Sequence, residues 1–120
     1  MTTSLTPLEF DLMDCFHARY KQVGFPRVAS LRVKSRETSC AGRFTYLEHD
    51  GLVSQPDGQL GLGRYSQFDM RGVSAGFSFW VQVKDGKIDY LEFIVNGDEE
   101  WDGSESSWSI HNPDTGGLQS

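Results

Sequence analysis

The sequence predicts an α+β domain in which one N-terminal helix packs on a twisted antiparallel sheet of about five strands. Three observations carry that expectation. Residues 6–23 form a well-punctuated amphipathic stretch, two aromatic and β-branched runs flank Asp85-Gly86, and apolar and polar residues alternate in the segments between them. The 120 residues suit one domain with a single core, the helix over 6–23, the sheet over 28–110 and a frayed tail over 112–120.

The helix has signals at both ends. Thr6 fits the N-cap, Pro7 the first helical position, and Glu9 completes a T-x-x-E capping box, with Leu5 placed to staple onto Phe10. Gly24 fits a left-handed C-terminal residue, and Pro26 prevents continuation. Leu8, Leu12, Cys15, Phe16, Tyr20 and Val23 make an apolar stripe, with Arg19 inside it. A cation in that stripe needs a partner or must snorkel to water, and Glu92 is the candidate, as a buried Arg19–Glu92 pair beneath the helix.

From Val28 to Arg36, Ala29, Leu31 and Val33 alternate with Ser30, Arg32, Lys34 and Arg36, which predicts a strand with a basic outer stripe. Residues 38–42 (TSCAG) read as a turn, 43–48 (RFTYLE) as the next strand, and 49–63 as a glycine-rich loop able to reach a partner. A short strand follows within Arg64–Gly72. The stretch 75–97 is the central hairpin. A two-residue turn at Asp85-Gly86 sets Val83 opposite Ile88, Val81 opposite Tyr90, Phe79 opposite Glu92 and Phe77 opposite Ile94. Both hairpin faces are then largely apolar, as a strand pair covered on each side requires. Trp108 and Ile110 alternate like a last short strand.

Composition narrows the function classes. The net charge of −6 opposes nonspecific nucleic-acid binding and suits a basic protein partner. The first residues lack the basic start and apolar run of a secretory signal, and no apolar run reaches membrane-spanning length, so a cytoplasmic protein without a membrane contact is expected. Cys15 and Cys40 form no C-x-x-C, and His17, His49 and His111 stand far apart, so neither a metal nor another cofactor is expected. Asp98-Glu-Glu-Trp-Asp102-Gly103 starts like a calcium loop but has Ser109 where the bidentate Glu belongs. There is no G-x-S-x-G elbow and no pair of carboxylates on one face, which leans the reading away from an enzyme.

The segment 98–105 is the candidate partner-binding surface. It places Asp98, Glu99, Glu100, Asp102 and Glu105 around Trp101, carboxylates for complementarity and a tryptophan for anchorage. The plainer alternative is a solvated loop whose tryptophans tuck back over the sheet edge.

Residues 36–42 (RETSCAG) with Phe44, then Gly76-Phe77, 81–86 (VQVKDG), Leu91-Glu92 and 97–101 (GDEEW) resemble a group of small uncharacterised bacterial proteins. That group carries an R-E-x-T-G-x-G-F-like segment and an L-E…Y-G-D-E-x-W-like motif. The match spans roughly Arg36 to Trp101 and departs at Ser39-Cys40-Ala41. The chain is also similar in style to the immunity proteins encoded beside bacterial toxins. This implies a non-enzymatic inhibitor that sets an acidic surface against a basic toxin domain such as a nuclease. The alternative is a small-ligand-binding or hydrolytic domain with a pocket between helix and sheet lined by Arg19, Trp80 and Glu92.

Overall fold

The computed structural model describes residues 4–111, so the tail expected over 112–120 lies outside the described residues. One α-helix, α1 (Pro7–Tyr20), packs on an antiparallel sheet of seven strands: β1 (Arg32–Ser39), β2 (Gly42–Glu48), β3 (Gly58–Leu60), β4 (Gln67–Met70), β5 (Val73–Lys84), β6 (Lys87–Val95) and β7 (Trp108–Ile110). The order across the sheet is β1-β2-β6-β5-β4-β7, and β3 shares the far edge of β5 with β4. The α+β architecture is the expected one, with two more strands. One lies inside the 49–63 loop as β3, because Gly58, Gln59 and Leu60 pair with Val83, Gln82 and Val81.

The helix starts as its residues dictate. The Thr6 hydroxyl accepts from the Glu9 amide at 3.1 Å, and the Glu9 carboxylate accepts from the Thr6 amide at 2.9 Å. After Tyr20 one 3₁₀ turn covers Lys21–Val23, and Gly24 closes it in the left-handed conformation. Leu8, Leu12, Met13 and Phe16 are buried against the sheet, and Phe16 meets Phe79 edge-on at 5.5 Å. The fully buried Phe16, Phe68, Phe77, Phe79 and Phe93 dominate the core. Each such ring contributes roughly 1.5–3 kcal/mol of transfer free energy. Phe10, the expected staple partner, is 44% exposed.

Two bulges set which side chains face the helix. In β1 the pairing jumps between Val33 and Ser35, so Lys34 is the extra residue and Arg36 turns to the helix side opposite Thr45. The expected basic outer stripe is therefore split, and the strand begins at Arg32 because Val28–Ser30 form a 3₁₀ turn. In the hairpin the turn is as expected, with Asp85 at φ 53° and Gly86 at φ 76°, a type I′ geometry. The register then shifts between Val83 and Gln82, leaving Asp89 extra. Beyond it Val81 pairs with Leu91, Trp80 with Glu92, Phe79 with Phe93 and Phe77 with Val95, not the pairs expected from an unbroken ladder. A one-residue slip moves every later side chain to the opposite face. Ile88, Leu91, Phe93 and Val95 face the helix, and Tyr90, Glu92 and Ile94 face away.

The second face of the sheet is consequently not a core. Its cross-strand rows run Glu37, Phe44, Glu92, Trp80 and Ser35, Tyr46, Tyr90, Gln82. Among the described residues no helix lies over it, and the shortest principal extent of 23 Å is that of one helix layer on one sheet. No helix of the described residues is long and apolar enough to cross a membrane.

Gly42 opens β2 at φ 149° opposite Ile94, and a Cβ there would lie 2.0 Å from the Phe93 carbonyl oxygen. Gly42→Ala should therefore cost about 3 kcal/mol by forcing β2 off β6, measured by urea unfolding against wild type. A change under ~0.5 kcal/mol would mean that the strand pair relaxes freely.

Candidate functional site

The carboxylate buried beneath the helix belongs to Glu9, not Glu92. Glu9 is 0% exposed and accepts from the Thr6 amide, from Arg36 Nη2 at 2.6 Å and Nε at 2.8 Å, from Thr45 Oγ1 at 2.7 Å and from Arg43 Nη1 at 3.3 Å. Arg43 also donates to Glu105 at 2.5 Å and to Thr38 at 3.1 Å, and stacks over Trp101 at 5.2 Å. Two carboxylates and two guanidinium groups make the network neutral, the condition under which burial of charge is tolerated. Burial alone would raise the Glu9 carboxyl. The hydrogen bonds from Arg36, Thr45 and Thr6 outweigh it and hold the group below the ordinary carboxylate range.

Arg19 and Glu92 do not meet. Arg19 is exposed on the helix with its guanidinium 5.9 Å from the Tyr20 ring centroid, while the hairpin bulge sends Glu92 to the far face. Arg19, Trp80 and Glu92 therefore do not line a common pocket between helix and sheet, since Trp80 and Glu92 both lie on the side without the helix. His49 is a further unforeseen tie. Its Nε2 accepts from the buried Ile88 amide at 2.9 Å, and Lys87 donates to the His49 and Gly51 carbonyls, so the 49–63 stretch is bound to the hairpin. His17 contacts the Phe25 and Pro26 carbonyls, and His111 contacts Asp69 at 3.0 Å. Among the described residues no three His, Cys, Asp or Glu side chains gather to hold a metal.

The segment 98–105 is largely structural. Trp101 is 3% exposed, wedged against Phe77 and Phe93 with centroids at 5.7 and 5.3 Å, and its indole donates to the Ser104 carbonyl at 2.7 Å. It is not the exposed anchor expected from sequence. Trp108 is half-buried and donates to Asp11 at 2.9 Å. Glu99 accepts from the Ala75 and Ser74 amides and the Ser74 hydroxyl, which hold it below the ordinary carboxylate range. Asp102 is lowered likewise by the hydroxyl and amide of Ser104. Glu105 is tied to Arg43, which leaves Asp98 and Glu100 as the exposed carboxylates with no such role.

The far face gathers the functional candidates instead. Phe44, Tyr46 and Tyr90 form a closed trio with centroids 5.3–6.1 Å apart. Tyr46 donates to Glu37 at 3.2 Å. Burial and the surrounding carboxylates, Glu37 and Asp89 for Tyr46, Glu92 and Asp89 for Tyr90, push both phenols above their ordinary value. Burial also raises the Glu92 carboxyl, partly offset by the neighbouring Trp80 indole. That indole nitrogen is itself buried without a hydrogen bond of normal geometry. A cleft of about 270 Å³ opens beside Phe44, with Glu37, Glu92 and Ile94 among its walls. Sequence reading reached Glu92 and Trp80 but assigned them to the wrong side, and Phe44, Tyr46, Tyr90 and Glu37 carried no signal as a group until the register was known.

The chain matches no family model, no curated protein and no solved structure in searches against each.

Two substitutions separate the two faces. Glu9→Gln should lower stability by about 3 kcal/mol near neutral pH. The folded protein holds Glu9 more acidic than the unfolded chain does. Its contribution is thus complete above the unfolded value and lost as the pH falls through the folded one, so the deficit should shrink below about pH 4. Glu92 has the opposite sign, since its raised carboxyl costs stability as the pH rises past the ordinary value. Glu92→Gln should melt above wild type near pH ~7 and match it near pH ~3. Thermal unfolding across that range checks both, and a destabilised Glu92→Gln would contradict the assignment.

Proposed function

We propose that this domain is a cytoplasmic, non-enzymatic protein-binding module, most concretely an immunity-type inhibitor that occludes a basic protein domain such as a nuclease toxin. One observation carries the reading. A whole sheet face bears half-buried aromatics, Phe44, Tyr46, Trp80 and Tyr90, interleaved with Glu37 and Glu92, with no helix of the described residues over it. Aromatic side chains at the centre of a patch with carboxylates between them are the composition of a binding surface for a cationic partner. The net charge of −6 favours fast encounter with such a partner. The resemblance in style to immunity proteins points the same way. In this reading the contact surface is the uncovered face, and of the 98–105 segment the exposed Asp98 and Glu100 add to the negative charge of the domain.

The ligand-binding alternative rests on the cleft beside Glu92. At about 270 Å³ it falls below the roughly 300–1,000 Å³ of small-molecule sites, a size better suited to one protruding side chain.

Affinity capture from lysate of the source cell tests the module, with wild type and a Tyr46→Ser, Tyr90→Ser variant run at low and moderate salt. The expected result is one basic protein held stoichiometrically by wild type, weakened by salt and lost by the variant. It should then bind the purified domain directly and lose its own activity on binding. Equal retention by both proteins would move the surface elsewhere, and no retained protein would overturn the reading.

A further inference from the structure

The uncovered face offers more than a general acidic-aromatic surface. In the row that crosses β1, β2 and β6, Glu37, Phe44 and Glu92 are direct cross-strand neighbours, so a carboxylate stands on each side of one aromatic ring. Adjacent strands lie about 4.8 Å apart, which sets the two carboxylates roughly 10 Å from each other across the ring. In the next row Tyr46 and Tyr90 sit side by side and close the trio with Phe44.

Of the cations that the sequence alternation would place here, the arginine nearest this row is elsewhere. The β1 bulge turns Arg36 to the helix side, where it and Arg43 are engaged with Glu9. Arg32, on the near side of that bulge, pairs with Asp50 at 3.6 Å. Among the described residues the rings with a guanidinium stacked on them are those of Tyr20, Phe93 and Trp101, none belonging to the trio. The face thus offers the carboxylates Glu37 and Glu92, π surfaces and a side-chain-sized cleft, and Arg43, at the cleft's wall, is already engaged by Glu9 and Glu105.

We infer that this row is a receptor for a single arginine side chain of the partner protein, the guanidinium stacking over Phe44, Tyr46 and Tyr90 while its N–H groups are shared between Glu37 and Glu92. The inference rests on the protein-binding reading and names the chemistry of its central contact. Arginine fits better than lysine because a planar guanidinium can stack on a ring and still present its N–H fork to a carboxylate in the same plane. An ammonium is a point charge and more strongly hydrated. The ring quadrupole adds attraction for any cation within about 6 Å of the ring centroid. Glu92 suits the role for a second reason: the contact that lowers its carboxyl is with the Trp80 indole on the same face, whereas Glu9, Glu99 and Glu105 are held by hydrogen bonds that tie separate elements together.

The test uses the purified domain and three otherwise identical short peptides whose central residue is arginine, lysine or citrulline, the last a neutral isostere of arginine. Binding is followed by NMR of the aromatic ring protons. The arginine peptide should shift the Phe44, Tyr46 and Tyr90 rings with a dissociation constant on the order of 1 mM. The lysine peptide should bind several-fold more weakly and citrulline at least about tenfold more weakly, with the arginine response falling as salt rises. Glu92→Gln and Glu37→Gln, each checked for an unchanged fold by its amide spectrum, should each weaken arginine binding several-fold, and Tyr90→Leu should abolish it.

Equal binding of citrulline and arginine, shifts centred on Asp98 and Glu100, or no shift at millimolar peptide would each overturn the proposal. Ring shifts that grow with protein concentration in the absence of peptide would do so as well, by assigning the face to a second copy of this chain. If the arginine probe fails while the basic partner is still captured, the arginine receptor falls and the binding module stands. If both fail, both readings fall.

Discussion

A buried carboxylate sets the terms for the rest of this molecule. Glu9 is wholly removed from solvent on the first turn of the helix, where an unpaired charge would cost several kcal/mol. It is tolerated because separate parts of the chain converge on it: its own N-cap, Arg36 of β1, and Arg43 and Thr45 of β2. Glu105 in turn secures Arg43 from the far end of the described chain. Hydrophobic packing alone would allow the helix to slide over a sheet face lined by phenylalanines. The forked bonds from two guanidinium groups permit one position, so the network gives the interface its register as well as its stability.

What could be read from sequence divides along a physical line. The helix ends, the type I′ turn and the alternating strands are local, and the residues that make them lie within a few positions of one another. Thr6, Pro7, Glu9, Gly24 and Asp85-Gly86 behave as their chemistry demands. Which face a strand residue takes is not local once a bulge intervenes. Lys34 and Asp89 are single extra residues, and each reverses the orientation of everything after it. That is why Arg36 was expected outside and lies inside, and why Glu92 was expected beneath the helix and lies on the opposite face. Glu9 was visible as a capping residue but not as a buried acid, because a capping box is satisfied equally well at a solvated helix start. The acidic run around Trp101 misled for a related reason: Arg43, which covers that ring and holds Glu105, is distant in sequence.

The two faces of the sheet obey different rules. On the helix side the buried charges around Glu9 are paired, and Phe16, Phe68, Phe77, Phe79 and Phe93 are packed. On the other side a carboxylate is raised by burial, an indole nitrogen lacks a hydrogen bond of normal geometry, and three rings stand together beside Glu37, Asp89 and Glu92.

The reach of the Glu9 network has a consequence for the order in which the chain acquires its structure. The acid at position 9 is neutralised by Arg36 and Arg43, and Arg43 by Glu105, a link across 62 positions; Trp108 returns to Asp11 across 97. Contacts of such separation are late, since the loops they close must lose their freedom first. During synthesis the helix emerges early, with its apolar stripe and its buried acid both lacking their covering. It must wait as a solvated, half-committed segment until nearly the whole sheet has appeared. A copy that ended before residue 105 would leave one carboxylate to face two guanidinium groups beneath the helix, an imbalance that the complete chain removes.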